Sequence, residues 1–358
     1  MTGREIREKL IGDIMSGAYS ASGRLPGETS LASSLGVSRM TLRMALDELR
    51  RQGLIEKRNG VGSFLTKRAF RRSGLIGLAI PNYRDFEFFA AIKNEVELHA
   101  SRLGYQVQLA FTARRSGKDF VKDFRRKIRH LVESRAEGVI FRPFLTEELA
   151  AANMEIVDTL RNAEIPVVLI DSDIARPPER SDCDLVAINN IGAGRQIARH
   201  LHEQGYRRVA FLMEDRNSFA NANWRNRLFG LAGEFALIGC EENVRQLDFS
   251  ASDARAISAL LKSRRRPDAI VCGNDERARQ VMETLTSLGM SIPKDVAVVG
   301  FDDMALASST TPPLTTISQP VRKLAATAFK TLLARIRYPN NDPREIFLDA
   351  PLVIRKST

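Results

Sequence analysis

The chain is poor in cysteine. Its three cysteines, Cys183, Cys240 and Cys272, are far apart and form no CxxC pair. An odd, scattered set supplies neither a disulfide framework nor a zinc site, and it suits a reducing compartment. Long apolar runs are also missing: no stretch approaches the roughly 18 residues that a membrane-spanning helix needs. The opening MTGREIREKL has no apolar core of the kind a signal peptide carries. The expected location is therefore the cytoplasm. Internal repeats and low-complexity tracts are absent. His200 and His202 stand two apart on a helical stretch and face different sides, so no metal site is expected. Gly192-Ala193-Gly194 resembles part of a dinucleotide loop but lacks its third glycine and a following acidic ribose reader. No Ser/His/Asp or Cys/His arrangement is readable. The expectation is a protein without cofactor that is not an enzyme.

What is present is positive charge, unevenly placed. The net formal charge is +11, and residues 1–72 carry 14 Lys and Arg against 7 Asp and Glu. A local basic region beside an otherwise ordinary soluble sequence points to nucleic acid. Hydrophobic residues make up 44% of the 358, enough for real cores in two or three domains.

The basic region has a readable order of elements. Thr2 is placed to cap a helix running to about Ser16, with Ile6, Leu10, Ile11, Ile14 and Met15 on its inner face. Glu28–Leu35 is a second, short helix, and Gly36-Val37 a tight turn. Ser38 caps a third helix from Arg39, whose apolar positions Leu42, Ala45, Leu46 and Leu49 keep helical spacing until Gly53. Arg39, Thr41 and Arg43 open this helix as a polar, basic face, suited to guanine edges or phosphate. Two short runs, Leu54–Arg58 and Ser63–Thr66, flank Asn59-Gly60-Val61-Gly62 and predict a β-hairpin. Three helices followed by a hairpin make a winged helix, with Lys57 and Arg58 beside the wing tip.

The stretch LPGETSLASSLGVSRMTLRMALDELRRQGLIEKRNGVGSFL resembles the DNA-binding domain of the GntR family of bacterial regulators. The resemblance implies operator contacts from Arg39 and Arg43 on the recognition helix and from Asn59-Gly60 at the wing tip. Ser38 and Thr41 at the start of that helix, and Lys57 and Arg58 flanking the tip, complete the expected DNA-binding set. One departure is Thr29, where many relatives have a basic residue. The basic segment KRAFRRSG, residues 67–74, reads as a linker.

From Leu75 onward apolar strands alternate with helices of 10–18 residues, among them LIGLAIP, YQVQLAF, EGVIFRPF, IPVVLID, PDAIVCGND and DVAVVGFDD. This is the pattern of parallel βαβ units, with too many strands for one small sheet. The predicted fold is α/β: an N-terminal winged helix-turn-helix, then a two-subdomain periplasmic-binding-protein-like domain with doubly wound parallel sheets. Ligands of such sheets bind beyond the carboxyl ends of the strands. There stand Asn82, Thr112–Arg115, Asp171, Asn189-Asn190, Asn274-Asp275 and Asp302-Asp303. Carboxylates and amides suit a polyhydroxylated ligand, whose hydroxyls both donate and accept.

SIPKDVAVVGFDD followed by PPLTTISQP, with PDAIVCGNDERA and HLHEQGYRRVAFL, is similar to the effector domain of the LacI/GalR family. The resemblance implies effector contacts at Phe88, Phe89, Asp171, Arg227, Asn274 and Asp302, and a homodimer formed through this domain. It also implies three crossovers between subdomains. The expected boundaries are 1–66 for the winged helix, 67–74 for the linker and 75–358 for the effector domain. Within the last, one subdomain takes about 75–188 and 318–347, the other about 189–317 and 348–358. A GntR head on a LacI/GalR body resembles the arabinose-repressor subfamily. The function expected is a sequence-specific transcriptional regulator, a repressor of carbohydrate-utilisation genes released from operator DNA by a small sugar. The alternative is a regulator that takes a purine or other non-sugar metabolite as co-repressor.

Overall fold

The computed structural model describes residues 2–15, 18–19, 22–51, 53–58, 60–66, 73–81, 87–112, 118–175, 178–213, 222–239 and 244–358. Asn59 at the expected wing tip, Asn82, and residues 67–72 of the expected linker lie outside them.

Helix α1 (Gly3–Met15) opens with a reciprocal cap: Thr2 Oγ1 accepts from the Glu5 amide at 3.3 Å, and Glu5 Oε2 accepts from the Thr2 amide at 2.8 Å. α2 (Glu28–Leu35) ends at Gly36, whose left-handed φ of 65° closes the helix. α3 (Arg39–Arg51) follows, with the Thr41 amide donating to Ser38 Oγ at 3.1 Å. β1 (Ile55–Arg58) pairs antiparallel with β2 (Gly62–Leu65), setting Ile55 opposite Leu65 and Arg58 opposite Gly62. The turn between them uses φ 73° at Gly60 and 131° at Gly62, conformations that a side chain would oppose. Ile6, Leu10, Leu42, Leu46, Leu49 and Leu54 form the buried centre of this small winged-helix head.

The body begins with β3 (Leu75–Ala79), α4 (Glu87–Ser101), β4 (Gln106–Ala110), α5 (Lys118–Glu133), β5 (Gly138–Phe141), α6 (Ala150–Asn162), β6 (Val167–Ile170) and β7 (Asp184–Ile188). It continues with α7 (Asn190–Glu203), β8 (Val209–Leu212), α8 (Ala222–Leu237), β9 (Val244–Leu247), α9 (Ala254–Lys262), β10 (Ala269–Cys272) and α10 (Asp275–Ser287). β11 (Ala297–Asp302), α11 (Ala305–Ser309), β12 (Thr315–Ser318), α12 (Val321–Arg337), β13 (Glu345–Leu348) and β14 (Leu352–Val353) complete it.

Two six-stranded sheets result. The first has the order β13-β7-β6-β5-β3-β4 and is parallel throughout. The second, β14-β12-β11-β10-β8-β9, is parallel except for the antiparallel pair β12 and β14. The chain passes between the sheets three times: from β7 to β8, from β12 to β13, and from β13 to β14. Every residue of β5, β6, β7, β8 and β10 is buried, as strands covered on both faces by helices must be. α12 leaves the second sheet and packs on α4 and on β5, β6 and β7 of the first. Its last turn reaches the head, where Arg337 donates to Glu48 of α3 at 2.9 Å. Among the described residues no helix is long and apolar enough to cross a membrane.

Candidate functional site

The carboxyl ends of both sheets bring polar side chains together. Asp171 follows β6, and its left-handed φ of 76° turns the chain away from the strand. One carboxylate oxygen takes a hydrogen bond from Asn223 Nδ2 at 2.9 Å, the other from Arg142 Nε at 3.2 Å. Arg142 follows β5 in the first sheet, whereas Asn223 belongs to α8 on the second. The Asn223–Asp171 bond therefore crosses between the two halves of the body. Arg227, one turn along α8, is 4% exposed. Its Nε donates to Asn190 Oδ1 at 2.8 Å and one terminal nitrogen to the Gly273 carbonyl at 2.6 Å. Its guanidinium carbon lies 3.3 Å from the Phe301 ring centroid, a stacked cation–π contact. Asp302 ends β11 with φ 114° and accepts from Gln319 Nε2 at 2.6 Å. Gln319 Oε1 is buried and has no hydrogen-bond partner among the described residues.

Burial sets the electrostatics. It lowers the Arg227 guanidinium to about 10, against the pull of Asp302 and Asp171, which favour its charge. Burial likewise pushes the Asp302 carboxyl up to about 6, opposed by Arg227 and the Gln319 hydrogen bond. Asp275 behind it rises to about 7 through burial and the neighbouring Asp302. Its oxygens accept from Thr316 Oγ1 at 2.5 Å and from the Met304 amide at 2.9 Å. Carboxyls, amides, a guanidinium and aromatic faces in one place recognise hydroxyls in both hydrogen-bonding senses and a flat apolar face beside them.

Some expected residues stand differently. Asn274 caps α10, its Oδ1 accepting from the Arg277 amide at 2.9 Å, so only its NH2 is left to reach outward. Asn274, not Asp275, is thus the helix cap, whereas Asp275 is buried next to Asp302 with its oxygens bonded to Thr316 and Met304. Phe88 and Phe89 both lie in the central core, edge to face at 5.1 Å. Phe89 also takes the Arg142 guanidinium over its ring at 4.7 Å, whereas Phe88 contributes packing. Arg142, Asn223 and Gln319 escaped the sequence reading. Arg142 and Gln319 do follow strands, and only the weak strand signal of TTIS hid the second. Asn223 sits at the start of a helix after residues 214–221, which lie outside the described set.

Arg227 owes its depth to glycine. A Cβ on Gly194 of α7 would overlap the Arg227 carbonyl oxygen, and one on Gly230 of α8 would overlap the Ile191 carbonyl oxygen. Each helix thus presents a bare backbone to the other. In the Gly192-Ala193-Gly194 stretch, Gly194 serves this helix packing, whereas a Cβ on Gly192 would meet the Asn189 side chain that caps α7.

In the head, Arg39, Arg43, Lys57, Arg58 and Gly60 are exposed. Arg43 donates to Glu28 at 3.3 Å, which fixes it against α2. Ser38 and Thr41 share a hydroxyl contact of 2.7 Å at the start of α3. Arg58 bonds Glu56 at 2.8 Å and lies 4.5 Å from the Phe64 ring centroid, which holds its charge beside the wing.

A basic winged-helix head on a body whose two sheets bring carboxyls, amides and a guanidinium together at their carboxyl ends fits a ligand-controlled DNA-binding protein. The comparisons bear this out. Residues 198–358 match the family model described as Periplasmic binding protein-like domain, and residues 2–65 match that for Bacterial regulatory proteins, gntR family. The chain is 32% identical over 274 residues to the HTH-type transcriptional repressor PurR of Vibrio atlanticus, covering 76% of this chain and 77% of that protein. To the arabinose metabolism transcriptional repressor of Geobacillus stearothermophilus it is 27% identical, over 99% of this chain and 96% of that one. A solved transcriptional regulator CelR–cellobiose complex superposes with a TM-score of 0.67 at 23% identity, over 93% of this chain and 100% of that one. The chain belongs to the LacI/GalR family of transcriptional regulators and is a sequence-specific DNA-binding regulator, not an enzyme. The expectation of a GntR head fused to a LacI/GalR body is thereby corrected. The relatives match this chain over 76% of it for the repressor PurR and 99% for the arabinose metabolism repressor, so it is a single LacI/GalR-family regulator and not a two-family chimera, its head being the stretch that matches the gntR model.

Proposed function

We propose that this regulator is a cytoplasmic, homodimeric repressor that leaves its operator when a small sugar or sugar derivative binds between the two sheets. The carrying observation is the Asp171–Arg227–Asp302 group, with carboxyls at strand ends of opposite sheets and a buried guanidinium attracted to both. A neutral polyol satisfies these groups without adding charge, through hydroxyls that donate to the carboxylates and accept from the guanidinium and amides. Relatives named as an arabinose metabolism repressor and a CelR–cellobiose complex support the same class of ligand. Asp171, Arg227 and Asp302 are the assigned contacts, with Phe89 and Asn274 at the rim and Phe88 behind. In the head, Ser38, Arg39, Thr41, Arg43, Lys57, Arg58, Asn59 and Gly60 are assigned to the operator. Two heads held by a dimeric body would read the two halves of a pseudo-palindromic site. Ligand closing the cleft replaces the Asn223–Asp171 bond, shifts one half against the other and changes the spacing of the heads.

A thermal-shift screen with pentoses, hexoses, disaccharides and purine bases tests the assignment. A ligand that binds only the folded chain raises its melting temperature, by about 2.7 kcal/mol of stability at a hundredfold excess over Kd. The expected result is a shift with a sugar that Asp302→Ala abolishes. Stabilisation by a purine base alone would instead support the co-repressor alternative.

A further inference from the structure

Met40 and Met44 are 69% and 65% exposed, on an otherwise charged helix face. On a helical projection of about 100° per residue, their midpoint lies nearly opposite the buried stripe Leu42, Ala45, Leu46 and Leu49. They therefore occupy the centre of the face that α3 turns away from its own core. Arg39 and Arg43 stand beside them, and both are exposed. Two adjacent exposed methionines gain nothing from water, and among the described residues no core or neighbouring element covers them. The basic surroundings favour a polyanion over an apolar partner protein. A DNA major groove offers such a face one prominent apolar group, the C5-methyl of thymine. Methionine suits it, being long, flexible and polarizable.

We propose that Met40 and Met44 read thymine methyl groups in the operator half-site, adding apolar sequence discrimination to the polar contacts of Arg39 and Arg43. The inference rests on the assignment of α3 as the operator-reading helix. Two residues four apart lie one turn along the helix, about 6 Å apart, so the thymines they meet stand within a few base steps of each other. Met40 comes earlier in α3 than Met44, and each methionine has its own methyl.

The test starts from duplexes enriched by the full-length protein from a random DNA pool. Each thymine of the enriched site is then replaced singly by deoxyuridine, which deletes the methyl and leaves every hydrogen-bonding group. The wild type should lose about fourfold in affinity at one or two positions per half-site, taking each methyl as one buried apolar carbon. In Met40→Ala or Met44→Ala the penalty at the corresponding position should vanish, and Met44→Leu should retain it. Both side chains are exposed and alanine favours helix, so these variants keep the fold. An enriched site at which every deoxyuridine substitution is silent, or at which the penalty persists in both alanine variants, overturns the methionine contact and leaves the DNA-reading head intact. Failure of the wild type to enrich any sequence overturns both.

Discussion

Arg337, in the last turn of α12, donates to Glu48 of α3 at 2.9 Å, joining residues 289 positions apart in the chain. The other end of α12 follows directly on Gln319, which holds Asp302 in the cleft. One helix of about 25 Å, at 1.5 Å per residue, thus runs from the Asp302 group to the head. A half-buried pair of this kind contributes about 0–1 kcal/mol to stability, so its removal should spare the fold. Arg337→Ala should leave operator affinity without effector within about twofold, and lessen the difference that effector makes. Fluorescence anisotropy with labelled operator, with and without sugar, measures both.

Gly194 and Gly230 predict a packing defect. Alanine at either would drive a methyl group into the backbone of the facing helix. Overpacking of this kind costs about 1–3 kcal/mol. Because Arg227 lies on the displaced helix, effector affinity should fall together with stability. Urea unfolding and calorimetric titration of Gly194→Ala should both move, whereas Gly233→Ala, which meets nothing within 4 Å, should move neither.

Asp275 predicts a dependence on pH. Its carboxyl rises from 3.8 to about 7 on folding. Between those values the folded state binds more protons than the unfolded state, so stability declines as pH rises through the window. The contribution is fully present below 3.8 and lost above 7. Thermal unfolding of the wild type should therefore fall in midpoint between pH 5.5 and 8 more steeply than that of Asp275→Asn, which cannot titrate there.

Arg43 predicts a separation of roles. It lies on the exposed face of α3 and far from the cleft, so Arg43→Ala should cost specific operator binding about 1–3 kcal/mol, as for loss of one bidentate base contact. Sugar-induced thermal stabilisation should be unchanged in the same variant. The two readouts together distinguish a lost contact from a lost fold.

Much of this organisation is legible in the residues themselves. The head has caps, periodic leucines and an Asn-Gly turn, all local signals, and its helices fall where the spacing predicts. The fully buried strands β5, β6, β8 and β10 announce themselves as apolar runs. Edge and polar strands do not: β9 and β13 each bury only their last residue, and β12 is the polar run TTIS. Thr315 and Thr316 are nonetheless fully buried there, because hydroxyls such as that of Thr316 are bonded within the core. The cleft is legible only in part. Asp171 and Asp302 betray themselves as acids after strands, but Arg142 and Asn223 acquire meaning only from the meeting of two halves distant in sequence. The glycines of α7 look like a nucleotide loop until α8 is seen lying on Gly194 and the Asn189 cap against Gly192.

Operator release by sugar tests the central claim most directly. Labelled operator bound to the wild-type protein is titrated with the sugar that stabilises it, and the same titration is run with Asp302→Ala. Sugar should release the operator from the wild type, while Asp302→Ala binds the operator normally and holds it at every sugar concentration. If no sugar alters operator affinity, or if Asp302→Ala releases the operator as the wild type does, the assignment of this cleft as the controlling site is wrong.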